Sequence, residues 1–149
     1  MPDTIAATAL LDSTSKILES MFFATVFGEA GQPSAGADMI GASVTFDGRL
    51  RGSLAVATDS ETARTLAADF LALESKDLVD RDRAQETIGE LANMICGVTL
   101  SAFDDEALFA LAHPASGPDA VSRAIAGDGA HWFLDIGEGT LAVCLRLES

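Results

Sequence analysis

The run Glu86-Thr87-Ile88-Gly89-Glu90-Leu91-Ala92-Asn93-Met94-Ile95-Cys96-Gly97 decides how this chain is read. At about 100° per residue, Ile88, Leu91, Ala92, Ile95 and Val98 gather on one side of a helix, and Glu86, Glu90, Asn93 and Gly97 line the other. Glu90 and Asn93, at i and i+3, stand about one turn apart, close enough to engage one small group on a partner. A carboxylate there can meet a cation while the carboxamide holds a water. Gly89 and Gly97 flank the stripe. Glycine inside a helix costs about 1 kcal/mol relative to alanine, and the missing side chains would let a second protein's backbone come close. A bare Glu-x-x-Asn is commonly a solvated pair, so spacing alone assigns no function.

Working outward, the period places the long helix over about Asp82 to Phe103. Upstream, alternating runs Met39–Phe46 and Leu50–Ala57 are joined at Asp47-Gly48, a hairpin signal. Thr58-Asp59-Ser60-Glu61 offers a helix start, and that helix carries Ala63, Leu66, Ala67, Phe70 and Leu71 toward a core. A first helix begins near Ile5 or Asp12 and runs to Phe27, where Gly28 stops it, and a Gly/Pro/Ser/Ala loop fills 28–38. The charged linker Glu74–Asp80 reads as solvated. Downstream, Ala107–Ala112 reads as a short strand and Pro114–Gly129 as loop with a helical turn around Ala120–Ala126. His131–Ile136 and Thr140–Leu147 form a second hairpin across Gly137-Glu138-Gly139.

The 149 residues suit one domain with its own core, and a 48% apolar content without low-complexity tracts argues for a globule. The net charge of −14 opposes non-specific nucleic-acid binding and anionic membrane surfaces. No apolar run approaches the roughly 18 residues of a membrane span. The Met1-Pro2-Asp3 start lacks the basic segment of a secretory signal, so cytoplasmic residence is expected. Cys96 and Cys144 lie among apolar neighbours and read as buried hydrophobes rather than a disulfide. His113 and His131 stand isolated, without metal-ligand spacing, and read as structural or solvated. Two histidines and no nucleophile elbow leave a serine triad without support. No metal site is expected.

Segment Gly89–Gly97 resembles the helix of the CheC/CheX/FliY family of chemotaxis phosphatases, whose motif is Asp/Ser-x3-Glu-x2-Asn with a proline further downstream. Glu90 and Asn93 match the Glu and Asn, and Pro114 of Ala112-His113-Pro114 stands for the proline. Glu86 departs from the motif's Asp or Ser. Ile17-Leu18-Glu19-Ser20-Met21-Phe22-Phe23 is similar to the first helix of CheX-like members. Overlaying Ile17-Leu18-Glu19 on Ile88-Gly89-Glu90 sets Phe22 against Asn93, so a duplicated site would survive only once, as in CheX-like members.

The resemblance implies an α+β fold, a largely antiparallel sheet with two long helices packed on one face, in a single domain spanning 1–149. It implies a phosphatase acting on the aspartyl phosphate of a CheY-like receiver. Glu90 would dock on the receiver's Lys and Asn93 would orient the attacking water, with Glu86, Gly89, Gly97 and Pro114 as partner contacts. The protein would need no cofactor of its own, Mg²⁺ being supplied by the receiver, and a homodimer is implied. The rival reading is a non-catalytic receiver-binding or dimerisation module on the same scaffold, which Glu86 favours slightly.

Overall fold

The computed structural model describes residues 3–34, 36, 38–103 and 109–148. In chain order these form α1 (Asp3–Met21), β1 (Gly28–Glu29), β2 (Met39–Asp47), β3 (Arg51–Asp59), α2 (Ser60–Phe70), a 3₁₀ turn (Lys76–Leu78) and α3 (Arg81–Phe103). β4 (Ala110–Leu111), β5 (Ala115–Ser116), α4 (Pro118–Ile125), β6 (Ala130–Asp135) and β7 (Thr140–Glu148) follow. Among the described residues the sheet has seven strands in the order β1-β6-β7-β3-β2-β4, with β5 also paired to β2. Every pairing is antiparallel. The expected α+β architecture is present.

Period-two alternation divides each long strand between two cores. Leu54 and Val56 of β3 and Leu141, Val143 and Leu145 of β7 enter the main core with Leu10, Ile17, Leu18, Ile88, Leu91 and Ile95 of α1 and α3. The two long helices thus share one face of the sheet. The alternate residues Ala55, Ala57 and Ala142 face the other way and pack against Val121, Ala124 and Ile125 of α4. Small side chains let α4 come close. At Gly41 of β2 a Cβ would sit 2.8 Å from both Cγ2 and the backbone nitrogen of Val121.

Several boundaries differ from the sequence reading, each through a contact the local pattern does not contain. Helix α1 ends at Met21 rather than Phe27. Phe22 and Ala24 both donate to the Leu18 carbonyl (3.1 and 3.0 Å), and Phe23 turns out at φ +55°. The chain then leaves to pair with β6, beginning with Phe27 N–H donating to Asp135 O at 2.8 Å, so residues read as loop form β1. The linker after α2 is largely exposed, as expected, but it is tied down at one point. Val79 is 2% exposed, and Arg64 donates to the Val79 and Lys76 carbonyls at 2.9 and 3.1 Å. The strand expected from Ala107 begins at Ala110, while 104–108 lie outside the described residues. The turn expected at Ala120 is the two-turn helix α4, with Pro118 in its first turn, a position that tolerates the missing N–H.

Candidate functional site

Helix α3 supplies the site. Its start is capped by Asp80, whose carboxylate accepts from Arg83 N–H at 2.8 Å. Its apolar stripe is sunk in the core, with Ile88, Leu91, Ala92 and Ile95 all 0% exposed. Burying that stripe against the sheet fixes the helix's rotation, and the opposite stripe therefore faces out. Glu86, Glu90 and Asn93 are exposed. Among the described residues neither Glu90 nor Asn93 is held by a hydrogen bond or ion pair of its own chain.

These side chains form one wall of a groove of about 510 Å³, which Gln85, Glu86, Gly89, Glu90 and Asn93 line from α3. His113, Pro114, Ala115 and Ser116 line the other wall, and Ala42 of β2 contributes as well. Two contacts hold the walls in register. Gln85 donates its side-chain amide to Gly41 O at 2.8 Å, fastening α3 to β2. Pro114 packs on Gly89, where a Cβ would stand 3.4 Å from the proline Cβ. Strand β5 then pairs with β2 at Ala42 and Ser43, which anchors the second wall to the sheet.

Five of the six residues singled out by sequence, Glu86, Gly89, Glu90, Asn93 and Pro114, therefore line one groove. Gly97 lies on the same helix outside it, half-buried, with nothing within 4 Å of where its Cβ would be. The close approach expected at both glycines is available at Gly97. At Gly89 the ring of Pro114 already occupies it.

Sequence reasoning missed His113, Gln85 and Ser116 as groove residues. The only signal for His113 was its place beside Pro114. His131, by contrast, lies away from the groove, with Nδ1 3.1 Å from Gly129 O. On α1, Glu19 is exposed but Phe22 is fully buried and stacked on Phe70, so no amide-bearing counterpart of the α3 stripe exists there. Cys96 and Cys144 are free and buried; burial pushes the Cys96 thiol up to about 12 and the Cys144 thiol up to about 11. Among the described residues no three His, Cys, Asp or Glu side chains cluster as metal ligands. Among the described residues no helix is long and apolar enough to cross a membrane.

Residues 40–117 match the family described as Chemotaxis phosphatase CheX, a span that covers over half the chain and includes every residue of the groove. The chain belongs to the CheX family. Solved CheX structures share its fold. The CheX of Borrelia burgdorferi, solved in a CheX-CheY-BeF3-Mg+2 complex, is 18% identical with a TM-score of 0.73, covering 95% of this chain and 97% of that one. The chemotaxis protein CheX of a Desulfovibrio desulfuricans subspecies is 20% identical with a TM-score of 0.65, over 96% and 99% of the two chains. FliY of Thermotoga maritima is 15% identical with a TM-score of 0.59, over 100% of this chain and 88% of that one. No curated protein matches the chain.

Proposed function

We propose that this CheX-family protein hydrolyses the aspartyl phosphate of a CheY-like receiver domain, using the Glu90–Asn93 ridge of α3. The observation that carries the reading is that both side chains stand exposed, one turn apart, lining the groove and, among the described residues, unengaged by their own chain. The Borrelia complex, a CheX bound to CheY with beryllofluoride and magnesium, supports a receiver as the partner. The Mg²⁺ belongs to that receiver's chemistry rather than to residues of this chain.

An acyl phosphate is already reactive, so catalysis reduces to placing a nucleophile and balancing charge. Glu90 pairs with the receiver's Lys and sets the helix against the phosphorylation site. The Asn93 amide oxygen accepts a hydrogen bond from a water and turns the water's lone pair toward phosphorus, while the NH₂ group bonds the receiver and so fixes the side chain's rotamer. Water oxygen bonds to phosphorus as its proton passes to a phosphoryl oxygen or to solvent, the bond to the aspartyl oxygen breaks, and the receiver carboxylate is released with inorganic phosphate as product. A neutral amide suits this place because a carboxylate would repel the phosphoryl oxygens. Glu86, one turn before Glu90, contacts the receiver at the margin, as does the Gly97 end of the helix. One domain over 1–149, a homodimer and a cytoplasmic location belong to the same proposal.

The test is the decay of a phosphorylated CheY-like receiver from the same organism, measured with and without the protein. Faster decay supports hydrolysis. Binding without faster decay supports the rival module, which the lengthened Glu86 carboxylate favours.

A further inference from the structure

We propose that His113 is a substrate contact, donating an imidazole N–H to a phosphoryl oxygen of the bound receiver from the groove wall opposite Asn93. The inference rests on the phosphatase reading above and adds a residue that neither the Glu-x-x-Asn motif nor its downstream proline contains.

Position comes first. His113 precedes Pro114, and the contact of Pro114 on Gly89 seats this segment one residue before Glu90 on α3. The imidazole therefore lines the same groove as Glu90 and Asn93. It is exposed, and among the described residues it has no hydrogen-bond partner.

Charge comes second. A phosphoryl group entering this groove carries negative charge past the carboxylates of Glu86 and Glu90. Unrelieved, that approach is repulsive. Donors on the walls are few. Gln85 has its amide committed to Gly41 O, which leaves only the neutral Asn93 NH₂ and Ser116 hydroxyl beside His113 among the side chains lining the groove. Among the described residues lining the groove, His113 alone can bear a positive charge. Neutral or protonated, an imidazole offers at least one N–H. A hydrogen bond to a charged phosphoryl oxygen is stronger than one between neutral groups. His113 thus discriminates the phosphorylated receiver from the unphosphorylated one, while Glu90 docks both.

The test compares affinities for a CheY-like receiver in its beryllofluoride-Mg²⁺ form and its unmodified form, by fluorescence titration with the full chain. Expected for His113→Ala is a loss of about tenfold or more for the beryllofluoride form, with affinity for the unmodified form within about twofold. His113→Gln, which keeps an N–H donor of similar reach, should restore most of the loss. Equal weakening of both forms, or no weakening of either, overturns the inference. So does a Gln variant as poor as the Ala variant when circular dichroism shows both folded. The two readings fail separately. A wild-type protein that leaves receiver decay unchanged overturns the phosphatase reading and this one with it. A wild-type protein that speeds decay, with His113→Ala indistinguishable from it in affinity for both forms, overturns this one alone.

Discussion

The ring of Phe22 stacks on that of Phe70, centroids 4.7 Å apart and planes 13° from parallel, at the position where α1 would need an amide to repeat the α3 site. The pair joins the end of α1 to the end of α2, and Phe22 is 0% exposed. It is a packing residue. Phe22→Ala should lower unfolding free energy by about 3–5 kcal/mol, read from urea denaturation. Any phosphatase activity per folded molecule should survive, because Glu90 and Asn93 belong to another helix.

Gly89 sets a second expectation. Alanine there would place its Cβ 3.4 Å from Pro114, an ordinary contact, and would gain helix propensity. Gly89→Ala should therefore keep or slightly raise thermal stability, by no more than about 1 kcal/mol. Gly89→Leu cannot fit beneath the ring and must push the His113–Ser116 wall away from α3. Receiver affinity should fall severalfold in the Leu variant and stay near wild type in the Ala variant, as titration with beryllofluoride-activated receiver would reveal.

The buried thiols make stability sensitive to alkali. Burial raises Cys96 to about 12 and Cys144 to about 11 from an unfolded value near 9. Below pH 8 both states hold the thiol protons and the groups contribute no slope. Between pH 9 and 11 the unfolded chain releases them and the folded chain keeps them, so stability falls as pH rises, by roughly 2–4 kcal/mol in all. The chain has no tyrosine and only two lysines, Lys16 and Lys76, which leaves the thiols as the main alkaline term. Urea midpoints across that range should drop for the wild type and flatten in a Cys96→Ala/Cys144→Ala variant.

Much of this arrangement was legible in the sequence. The period of Ile88, Leu91, Ala92 and Ile95 gave both the helix and its buried side, and that rotation alone turned Glu90 and Asn93 outward. Asp47-Gly48 marked the hairpin of β2 and β3. The second face of the sheet was not legible. Its residues Gly41, Ala55, Ala57 and Ala142 are small, and their value lies in admitting α4, a partner distant in sequence. Two-residue strands such as β1 and β5 carry no periodic signal because their pairing is entirely non-local. For the same reason one wall of the groove could be read and the other could not. Glu86, Glu90 and Asn93 share a helix, whereas His113 is brought to them by the Pro114–Gly89 contact and the pairing of β5 with β2.

The assignment of Asn93 to the attacking water meets its most direct test in a single substitution. Asn93→Ala should leave binding of the beryllofluoride-activated receiver within about threefold of wild type and reduce accelerated loss of the receiver's phosphate by about 100-fold or more, the scale expected when an orienting group is removed. A variant that binds normally and still speeds decay as the wild type does would contradict the account.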